Sequence, residues 1–500
     1  MRDSLPDAAE MFAALPAPRP DDGALREAIR AARAEDGVLL GVLDDDPTGS
    51  QAVHGVQVVT VPDELAYRAA FDGPAATCFV LTNTRSLDEP AAVEANQVTG
   101  RALLSIAEQR RARAQLVSRS DSTLRGHVMA EVAALDGARR ERSGQGFDGV
   151  LLVPAFLEAG RVTAGDIHWA RLRGELVPVG ETEFARDATF GYRASDLRDF
   201  VAEKSGGTIA ADAVHSIGLD DIRLGGPSRV RDLLAEVRDG AWVVVNATEY
   251  SDLDTVAYGV LLAERAGRSF LFRTGPSFVR SLSGLGPKAP LRGADLWPGG
   301  PPGGTGQAGP AGGHGLIVVG SHVGHTSRQM AALVAAGGVT QIELDVPAAL
   351  RGDDVVTATA AAVTAALARS DVLLYTSRDL VTGADGDGSL AIARQVSAAL
   401  SATVRAVLAT RAAGPVSPAT PAWIIAKGGI TSHDVAVHGL GLRRAEVAGQ
   451  LFPGVISVFR PLDAAPAAIG LPYVVFAGNV GDEDTLRQTV AILHGEQEKT

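Results

Sequence analysis

Only one cysteine, Cys78, is present among the 500 residues of the sequence, and this scarcity excludes two kinds of architecture. A single thiol cannot form an internal disulfide, and it cannot supply a cysteine-based metal cluster. Aromatic residues make up only 5% of the chain. This shortage favours helices that pack through small residues over surfaces built for aromatic stacking.

Basic residues are also in deficit, since 46 lysines and arginines face 59 aspartates and glutamates, for a net charge of −13. A chain with this charge is a poor candidate for broad binding to nucleic acids or anionic membranes. No apolar run reaches the roughly 18 residues of a membrane-spanning helix, and residues 1–20 lack the basic and apolar regions of a signal peptide. We therefore expect a cytoplasmic protein with no nucleic-acid or membrane partner.

Short apolar segments alternate with amphipathic segments along most of the chain. The predicted strands are 37–43, 56–61, 77–82, 115–118, 149–154 and 242–246, followed by 316–319, 341–344, 372–375, 423–426, 455–459 and 473–476. The predicted helices are 89–110, 124–140, 195–204 and 253–266, followed by 327–336, 354–368, 389–412 and 483–494. This alternation predicts an α/β fold with largely parallel sheets flanked by helices.

A segment crowded with glycine and proline, 283–315, separates the two series of elements. Such a composition does not bury enough apolar surface to order itself. We predict an N-terminal extension at 1–29, a first domain at 30–283, a linker at 284–313 and a second domain at 314–500. Because parallel sheets bind ligands beyond the carboxyl ends of their strands, we expect a ligand cleft between the two domains.

Three consecutive carboxylates, Asp44, Asp45 and Asp46, follow the first predicted strand. Their mutual repulsion is relieved by a cation, a proton or a polar ligand, so a Mg²⁺ site or a general base is one interpretation. A solvated turn is an equally plain alternative, because Asp, Pro and Gly all favour turns. The spacing of Asp44, Asp46 and Thr48 also matches the signature of haloacid-dehalogenase-type phosphatases, in which the first aspartate is a nucleophile.

Arginines and hydroxyls follow other strands of the first domain. The loop after 115–118 carries Arg119, Asp121, Ser122 and Arg125. Its planar guanidinium groups match a carboxylate or a phosphate, although a capped helix with a structural ion pair would use the same residues. Further arginines follow the strands at 77–82 and 149–154, namely Arg85 and Arg161.

Glycine-rich loops follow three strands of the second domain, at 319–326, 426–434 and 476–482. Their backbone N–H groups and hydroxyls suit a phosphate held near a helix N-terminus. None of them is a Gly-x-x-x-x-Gly-Lys-Ser/Thr loop. One glycine turn is weak evidence, because turns need glycine in any case, but three such loops together predict a nucleotide site.

Several motifs, in this order, resemble those of the four-carbon acid sugar kinase family, which phosphorylates threonate, erythronate or oxo-tetronate with ATP. The matching motifs are Asp-Asp-x-Thr-Gly at 45–49, Asp-Ser-Thr-Leu-Arg-Gly at 121–126, Pro-Ala-Phe-x-x-x-Gly-Arg-x-Thr at 154–163, Gly-Ser at 320–321, Lys-Gly-Gly-Ile-Thr-Ser at 427–432 and Gly-Asn-Val-Gly at 478–481. The similarity extends over about residues 36–495.

The resemblance implies a first domain that binds the sugar acid and a second that binds the nucleotide, with ATP and Mg²⁺ as cofactors. It implies catalytic roles for Asp45 and Asp46, without deciding which is the base and without naming a metal ligand. Implied substrate-binding residues are Thr48, Arg85, Asp121, Ser122, Arg125 and Arg161. Implied ATP-binding residues are Ser321, Gly428, Gly429, Ile430, Thr431, Gly478 and Gly481. The implied partners are a small sugar acid and ATP, and a homodimer is compatible with the resemblance.

The sequence departs from the family pattern at a few positions. Asp44 stands where a small residue is usual, Arg119 where lysine is common and His127 where asparagine is common. These departures leave the sugar acid unidentified. They also leave open two alternatives, a phosphatase that uses Asp44 and Asp46 and a ligand-binding homologue without catalytic activity.

Overall fold

The computed structural model describes residues 8–21, 23–46, 49–172, 174–297, 313–320, 324–377, 386–409, 420–478 and 480–496. The chain divides into two compact units, Met1–Pro287 and Lys288–Thr500. Among the helices of these residues, none combines the length and the apolar character that a bilayer crossing demands.

Unit one contains eleven strands and nine helices within its described residues. Its strands are β1 Val38–Asp44, β2 Gln57–Val59, β3 Thr77–Leu81, β4 Arg113–Arg119, β5 Gly149–Val153, β6 Arg161–Ala164, β7 Ile167–Leu172, β8 Glu175–Pro178, β9 His215–Ile217, β10 Ala241–Val245 and β11 Phe270–Thr274. Its helices are α1 Ala8–Ala13, α2 Ala24–Asp36, α3 Glu64–Phe71, α4 Glu89–Gln109, α5 Val128–Ser143, α6 Leu197–Lys204, α7 Gly226–Ala235, α8 Tyr250–Arg265 and α9 Pro276–Leu282.

Eight of these strands form one parallel sheet in the order β2-β3-β1-β4-β11-β5-β10-β9. Every residue of β1, β3, β5 and β11 is buried, which is why these strands are continuous apolar runs without polar alternation. Strands β6, β7 and β8 form a separate antiparallel sheet. These three strands, together with β9 and β11 of the main sheet, are additions to the predicted elements, because sequence periodicity did not single them out.

Unit two has the same plan with an antiparallel edge. Its strands are β12 Leu316–Val319, β13 Val339–Leu344, β14 Asp371–Thr376, β15 Ile424–Lys427, β16 Arg444–Phe452, β17 Ile456–Asp463 and β18 Tyr473–Phe476. Its helices are α10 Gly324–Ala336, α11 Val346–Arg351, α12 Val355–Leu367, α13 Gly386–Ala409, α14 Gly429–Asp434 and α15 Thr485–Leu493. The order is β13-β14-β12-β15-β18-β17-β16, parallel through β18 and antiparallel from there.

These two units confirm the predicted fold class, two α/β domains with largely parallel sheets flanked by helices. The helix predicted at 124–140 begins later, at Val128, because Leu124 and Gly126 adopt positive φ angles of 68° and 119° that end any helical path. The expected cleft stays a prediction.

Part of the predicted linker is packed rather than free. Leu291, Leu296 and Trp297 are buried in the core of unit two, and the Leu291 amide donates to the Gln450 carbonyl at 2.7 Å. The apolar side chains of this short stretch supply burial that its glycines and prolines do not. The remainder of the predicted linker, 298–312, lies outside the described residues.

Part of the predicted N-terminal extension likewise packs on unit one. Helix α2 begins at Ala24, and its Arg26 donates to buried Asp254 at 2.9 Å. Arg33, on the same helix, donates to the Leu282 carbonyl at 2.9 Å.

The contact between α7 and α8 depends on a glycine. A Cβ at Gly259 of α8 would lie 2.5 Å from Val230 Cγ1 of α7 and 3.0 Å from the Pro227 carbonyl oxygen. Gly137 of α5 has nothing within 4 Å of the corresponding point. The first glycine therefore allows close packing of two helices, whereas the second has no packing role.

We predict opposite stability effects for the same substitution at these two sites. Gly259→Ala should lower the free energy of unfolding by about 1–3 kcal/mol, because the added methyl overpacks the α7–α8 contact. Gly137→Ala should raise it by about 0.5–1 kcal/mol through the better helix propensity of alanine. Thermal unfolding followed by circular dichroism measures both, and a stabilised Gly259→Ala variant would contradict the close contact.

Candidate functional site

The carboxyl ends of four neighbouring strands bring the predicted substrate residues together. Asp44, the last residue of β1, is in register with Leu81 of β3 and with Arg119 of β4. Arg119 is in turn in register with Thr274 of β11. Since parallel strands end at the same edge of a sheet, the loops after β1, β3, β4 and β11 meet there.

The first of the three aspartates is neutralised by an arginine from the adjacent strand. Asp44 is fully buried, and Arg119 is only 4% exposed. The Arg119 guanidinium forms an ion pair with Asp44 and donates to the Asp46 carbonyl at 3.1 Å. Burial lowers the pKa of Arg119 to about 9, so it remains a cation at neutral pH. A Cβ at Gly49 would lie 2.0 Å from this guanidinium, so the turn after Asp46 needs glycine.

The second aspartate, Asp45, is the unusual member of the group. It is 2% exposed, and neither carboxylate oxygen accepts a hydrogen bond from any residue that the structure describes. Arg119 lies 3.5 Å away but directs its hydrogen bonds elsewhere. Burial raises the pKa of Asp45 to about 7, with Glu131 and Asp121 acting in the same direction and Arg85 and Arg273 opposing it. A buried charged group without hydrogen bonds is costly, so its retention points to a functional role.

The third aspartate belongs to a chain of ion pairs at the rim. Asp46 pairs with Arg85, whose other nitrogen lies 3.7 Å from Asp121. Asp121 also accepts from Arg125 Nε at 2.6 Å, and Arg125 lies 3.7 Å from Asp187. Although burial opposes the shift, Arg85 and Arg125 lower the pKa of Asp121 to about 2. Four predicted site residues therefore occupy one charge network.

Arg161 lies in the same region without an acidic partner among the described residues. Its Nη1 donates to the Ala159 carbonyl, and its Nε is buried and makes no hydrogen bond. Both Arg161 and Arg125 stack on the Phe184 ring, with 5.8 Å and 5.4 Å from the guanidinium carbon to the ring centroid. Burial lowers the pKa of Arg161. This guanidinium is therefore the rim cation best able to accept an external anion.

Ser122 is buried, and its backbone is fixed by a histidine. His168 Nε2 donates to the Ser122 carbonyl at 2.8 Å, and Thr163 Oγ1 donates to Nδ1 at 2.9 Å. Burial lowers the pKa of His168 to about 4, so the ring is neutral at pH 7. Thr48 lies outside the described residues.

Two buried residues of this site, Glu131 and Arg273, are absent from the sequence predictions. Arg273 on β11 is 1% exposed and forms an ion pair with Glu131 on α5. Sequence reasoning missed both because each occurs within an ordinary helix or strand. A charge in the buried strand 270–274 was the available signal, since a fully buried arginine needs a partner.

In unit two, three predicted glycine loops follow strands β12, β15 and β18, which are direct neighbours. A Cβ at Gly320, after β12, would lie 2.5 Å from Thr431 Oγ1 on the loop after β15. Thr326 Oγ1 donates to the Gly478 carbonyl at 3.0 Å. The structure therefore brings these loops into contact with one another.

Two glycines of these loops have backbone conformations that favour glycine. Gly428 and Gly481 adopt positive φ angles of 113° and 78°, which glycine allows without strain. Gly429 has open space at its Cβ position, and Ile430 is 64% exposed despite being apolar. Ser321 lies outside the described residues, so its predicted role stays a prediction.

Lys427 is a further charged residue at the end of β15 that the predictions did not include. It is fully buried, donates to the Ala477 carbonyl at 3.2 Å and lies 3.8 Å from the centroid of the Phe476 ring. Burial lowers the pKa of Lys427 to about 7. No group of three or more metal-ligating side chains occurs among the described residues, so no protein-only Mg²⁺ site is assigned.

Two family models match the chain, one in each of the two units. A sugar-binding N-terminal domain model matches residues 40–282, and a nucleotide-binding C-terminal domain model matches residues 316–486. The chain belongs to the four-carbon acid sugar kinase family. Among curated proteins, none matches the chain significantly.

Two solved structures of similar fold align with about nine-tenths of this chain. A Haemophilus influenzae protein of family DUF1537 is 17% identical, with 91% of this chain and 100% of that chain covered and a TM-score of 0.58. A Salmonella typhimurium LT2 protein, described as a candidate tRNA synthase, is 17% identical, with 90% and 98% covered and a TM-score of 0.60. These two similarities show the fold alone.

A third structure, from Bordetella bronchiseptica, was crystallised as a domain-swapped dimer with bound citrate. It is 22% identical, with 92% of this chain and 99% of that chain covered, and its TM-score is 0.37.

We predict that Gly320→Ala weakens nucleotide binding by this family member. The new methyl would lie 2.5 Å from Thr431 Oγ1 and displace that side chain. We expect the dissociation constant for the nucleotide to rise roughly tenfold, equivalent to about 1.4 kcal/mol of binding free energy. Isothermal titration calorimetry of the full chain measures the change. Gly137→Ala, at a helical position of unit one with nothing within 4 Å, is the control and should bind the nucleotide as the wild type does.

We predict a pH-dependent stability gain for Asp45→Asn. The folded-state pKa of Asp45 is about 7 and the ordinary value is 3.8, so the folded state binds a proton that the unfolded state releases between these values. Stability of the wild type therefore falls as pH rises through this range, by up to about 1.4 kcal/mol per pH unit. Urea unfolding at pH 4 and pH 8 should show a gain for Asp45→Asn only at pH 8. Equal gains at both pH values would contradict the shifted pKa.

Proposed function

We propose that the protein is an ATP-dependent kinase that phosphorylates a hydroxyl of a small, four-carbon sugar acid. The observation that carries this proposal is the buried Asp45 carboxylate, which has no hydrogen bond and lies among arginines in the sugar-binding domain. A proton acceptor and fixed cations are what hydroxyl phosphorylation of an anionic substrate requires.

Asp45 is the proposed general base, and Asp46 the proposed positioning partner of Arg85. The Asp46 carboxylate is occupied by its ion pair with Arg85, whereas Asp45 has both oxygens available and a pKa of about 7. A base whose pKa lies close to the working pH is the most effective. Because both Asp45 oxygens are shielded from solvent, the proposal requires the substrate to displace part of the loop after β1.

Arg161 is the proposed partner of the substrate carboxylate. Arg85 and Arg125 already pair with Asp46, Asp121 and Asp187, so a new carboxylate would compete with existing bonds there. Arg161 has a buried Nε without a hydrogen bond. Thr48, Asp121 and Ser122 complete the proposed substrate residues. Asp121 holds Arg85 and Arg125 in place through its ion pairs.

The glycine loops of unit two are the proposed ATP site, formed by Ser321, Gly428–Thr431, Gly478 and Gly481. The close approach of Gly320 to Thr431 and the positive φ of Gly428 fit a backbone cradle for phosphates. Mg²⁺ is proposed to be held by the nucleotide phosphates, whose charge it neutralises when bound. A cytoplasmic location and a homodimer remain part of the proposal.

The phosphatase alternative is disfavoured by the position of Asp44. A nucleophilic aspartate needs a free carboxylate, but the Asp44 carboxylate is held in a hydrogen-bonded ion pair by Arg119, whereas Arg119 makes no hydrogen bond to Asp45. A homologue without catalytic activity would share the whole site. A coupled assay of ADP release over a panel of four-carbon sugar acids, with phosphorus NMR of the product, tests the proposal. ADP release that depends on one acid supports it, and saturable binding of acid and ATP without turnover would overturn it.

We predict that Asp45→Asn lowers kcat by about 10²–10⁴, the usual effect of losing a general base. Asp46→Asn should lower kcat much less and change mainly the KM for the sugar acid, because it alters the ion pairs of Arg85 without removing the base. Circular dichroism checks that both variants fold. If Asp46→Asn proves inactive while Asp45→Asn is nearly normal, the base has been assigned to the wrong residue.

We predict that Arg161→Ala weakens use of the sugar acid by about 1.5–3 kcal/mol, or roughly ten- to a hundredfold in kcat/KM. The KM for ATP should not change. Arg171→Ala is a matched control, because Arg171 is exposed on β7 and its side chain donates to the Gly174 carbonyl. Equal losses in the two variants would remove Arg161 from the substrate site.

A further inference from the structure

The buried carboxylate of Glu131 binds side chains from three separate segments of the chain near Asp45. Glu131 is 2% exposed on α5. It accepts from Thr84 Oγ1 at 2.5 Å and from Ser118 Oγ at 3.1 Å, and it forms an ion pair with Arg273. Thr84 precedes Arg85, and Ser118 precedes Arg119, so one carboxylate fixes the starting points of both arginine-bearing loops.

Arg273 uses only one end of its guanidinium to bind this hub. Its Nη1 bonds to Glu131 and to Ser118 Oγ, the latter at 2.6 Å. Its Nη2 and Nε are buried and make no hydrogen bond to the described part of the chain. A buried guanidinium that satisfies one nitrogen and leaves two without partners is costly unless those nitrogens serve another group.

One of these two nitrogens, Arg273 Nη2, approaches Asp45 beside Gly126. A Cβ at Gly126 would lie 3.0 Å from Arg273 Nη2 and 3.1 Å from Asp45 Oδ2. Gly126 therefore leaves space where two buried, oppositely charged atoms approach the same point. Neither atom makes a hydrogen bond within the described part of the chain. Arg119 approaches the other oxygen, Asp45 Oδ1, at 3.5 Å, so Arg273 Nη2 is the cation on the Oδ2 side of Asp45.

We propose that Arg273, held by Glu131, is a positioning residue that orients the Asp45 carboxylate and sets its charge during proton transfer. The inference rests on the proposed function, because it assigns Asp45 as the base. Arg273 acts through Asp45 and is not itself placed in contact with substrate. No family match assigns either Arg273 or Glu131.

The charges around Asp45 give the inference a direction. The groups that face it are Asp44, Asp46 and Arg119 beside the loop, Arg85 after β3, Asp121 after β4, Glu131 on α5 and Arg273 on β11. Of these, Arg273 lowers the pKa of Asp45 and Glu131 raises it. Withdrawing the Arg273 cation from Asp45 and removing the Glu131 charge should therefore shift the pKa of Asp45 in opposite directions.

The test compares pH profiles of kcat/KM for the full-length wild type, Arg273→Lys and Glu131→Gln. Lysine keeps a cation for Glu131 but has no second nitrogen to direct at Asp45. The acidic limb of the Arg273→Lys profile should move to higher pH by about half a unit or more, and kcat should fall severalfold. Glutamine keeps the shape of Glu131 and removes its negative charge, so the acidic limb should move to lower pH.

Glu264→Gln is the matched control for burial and shape. Glu264 is a buried glutamate of unit one that accepts from Gln115 Nε2 at 2.8 Å, near the amino-terminal end of β4. Its variant should leave the acidic limb at the wild-type position. Unchanged limbs in both test variants, or shifts in the same direction, would overturn the positioning role. If Arg273→Lys does not fold, the direction of the Glu131→Gln shift decides alone.

A second readout separates this inference from the proposed function. The carbon-13 resonance of the Asp45 carboxyl, identified by its loss in Asp45→Asn, can be titrated without any substrate. Opposite displacements of its midpoint in the two variants support the positioning role even if no sugar acid is turned over. Turnover with undisplaced midpoints would instead support the kinase and reject the role of Arg273.

Discussion

Burial of three consecutive carboxylates at one strand end is the constraint on which the site of the first unit depends. Like charges this close repel strongly in a poorly solvated environment. Arg119 neutralises Asp44, and Arg85 neutralises Asp46, each from the end of a strand that pairs with β1. Asp45, between them, is the carboxylate without a hydrogen bond. Among the described residues, one oxygen of Asp44 and both oxygens of Asp45 are buried without a hydrogen bond, so Asp45 has the larger unsatisfied carboxylate.

The ion pair of Asp44 with Arg119 also explains two departures from the family pattern together. Asp44 replaces a usually small residue, and Arg119 replaces a common lysine. In the structure the two side chains bind each other and are buried together. A planar guanidinium can bond to Asp44 and to the Asp46 carbonyl at once, which the single ammonium of a lysine does less readily. The first change thus accompanies the second, and together they leave Asp45 3.5 Å from Arg119 without a hydrogen bond from any described residue.

The sequence was sufficient to predict the α/β class and most central strands, because buried parallel strands are continuous apolar runs. It was also sufficient to place Arg85, Arg119 and Asp121 at strand ends, where loops converge. It did not predict the antiparallel sheet β6–β8, whose short strands lack a regular apolar alternation. It did not predict the ion pair of Arg273 with Glu131, because the pairing of a strand with a helix is a tertiary contact. The choice of Asp45 over Asp46 likewise depends on which arginine reaches which carboxylate.

The account of the site depends on a buried Asp45 carboxylate that no hydrogen bond stabilises. Titration of Asp45 in the full-length wild type tests this most directly. The carbon-13 shift of its carboxyl group, followed from pH 3 to pH 9 at roughly half-unit steps, reports the ionisation of this one residue. We expect a midpoint near pH 7, since burial raises the pKa of Asp45 to about 7. A midpoint near the ordinary value of 3.8 would show that Asp45 is solvated or paired, and it would contradict the account of the site.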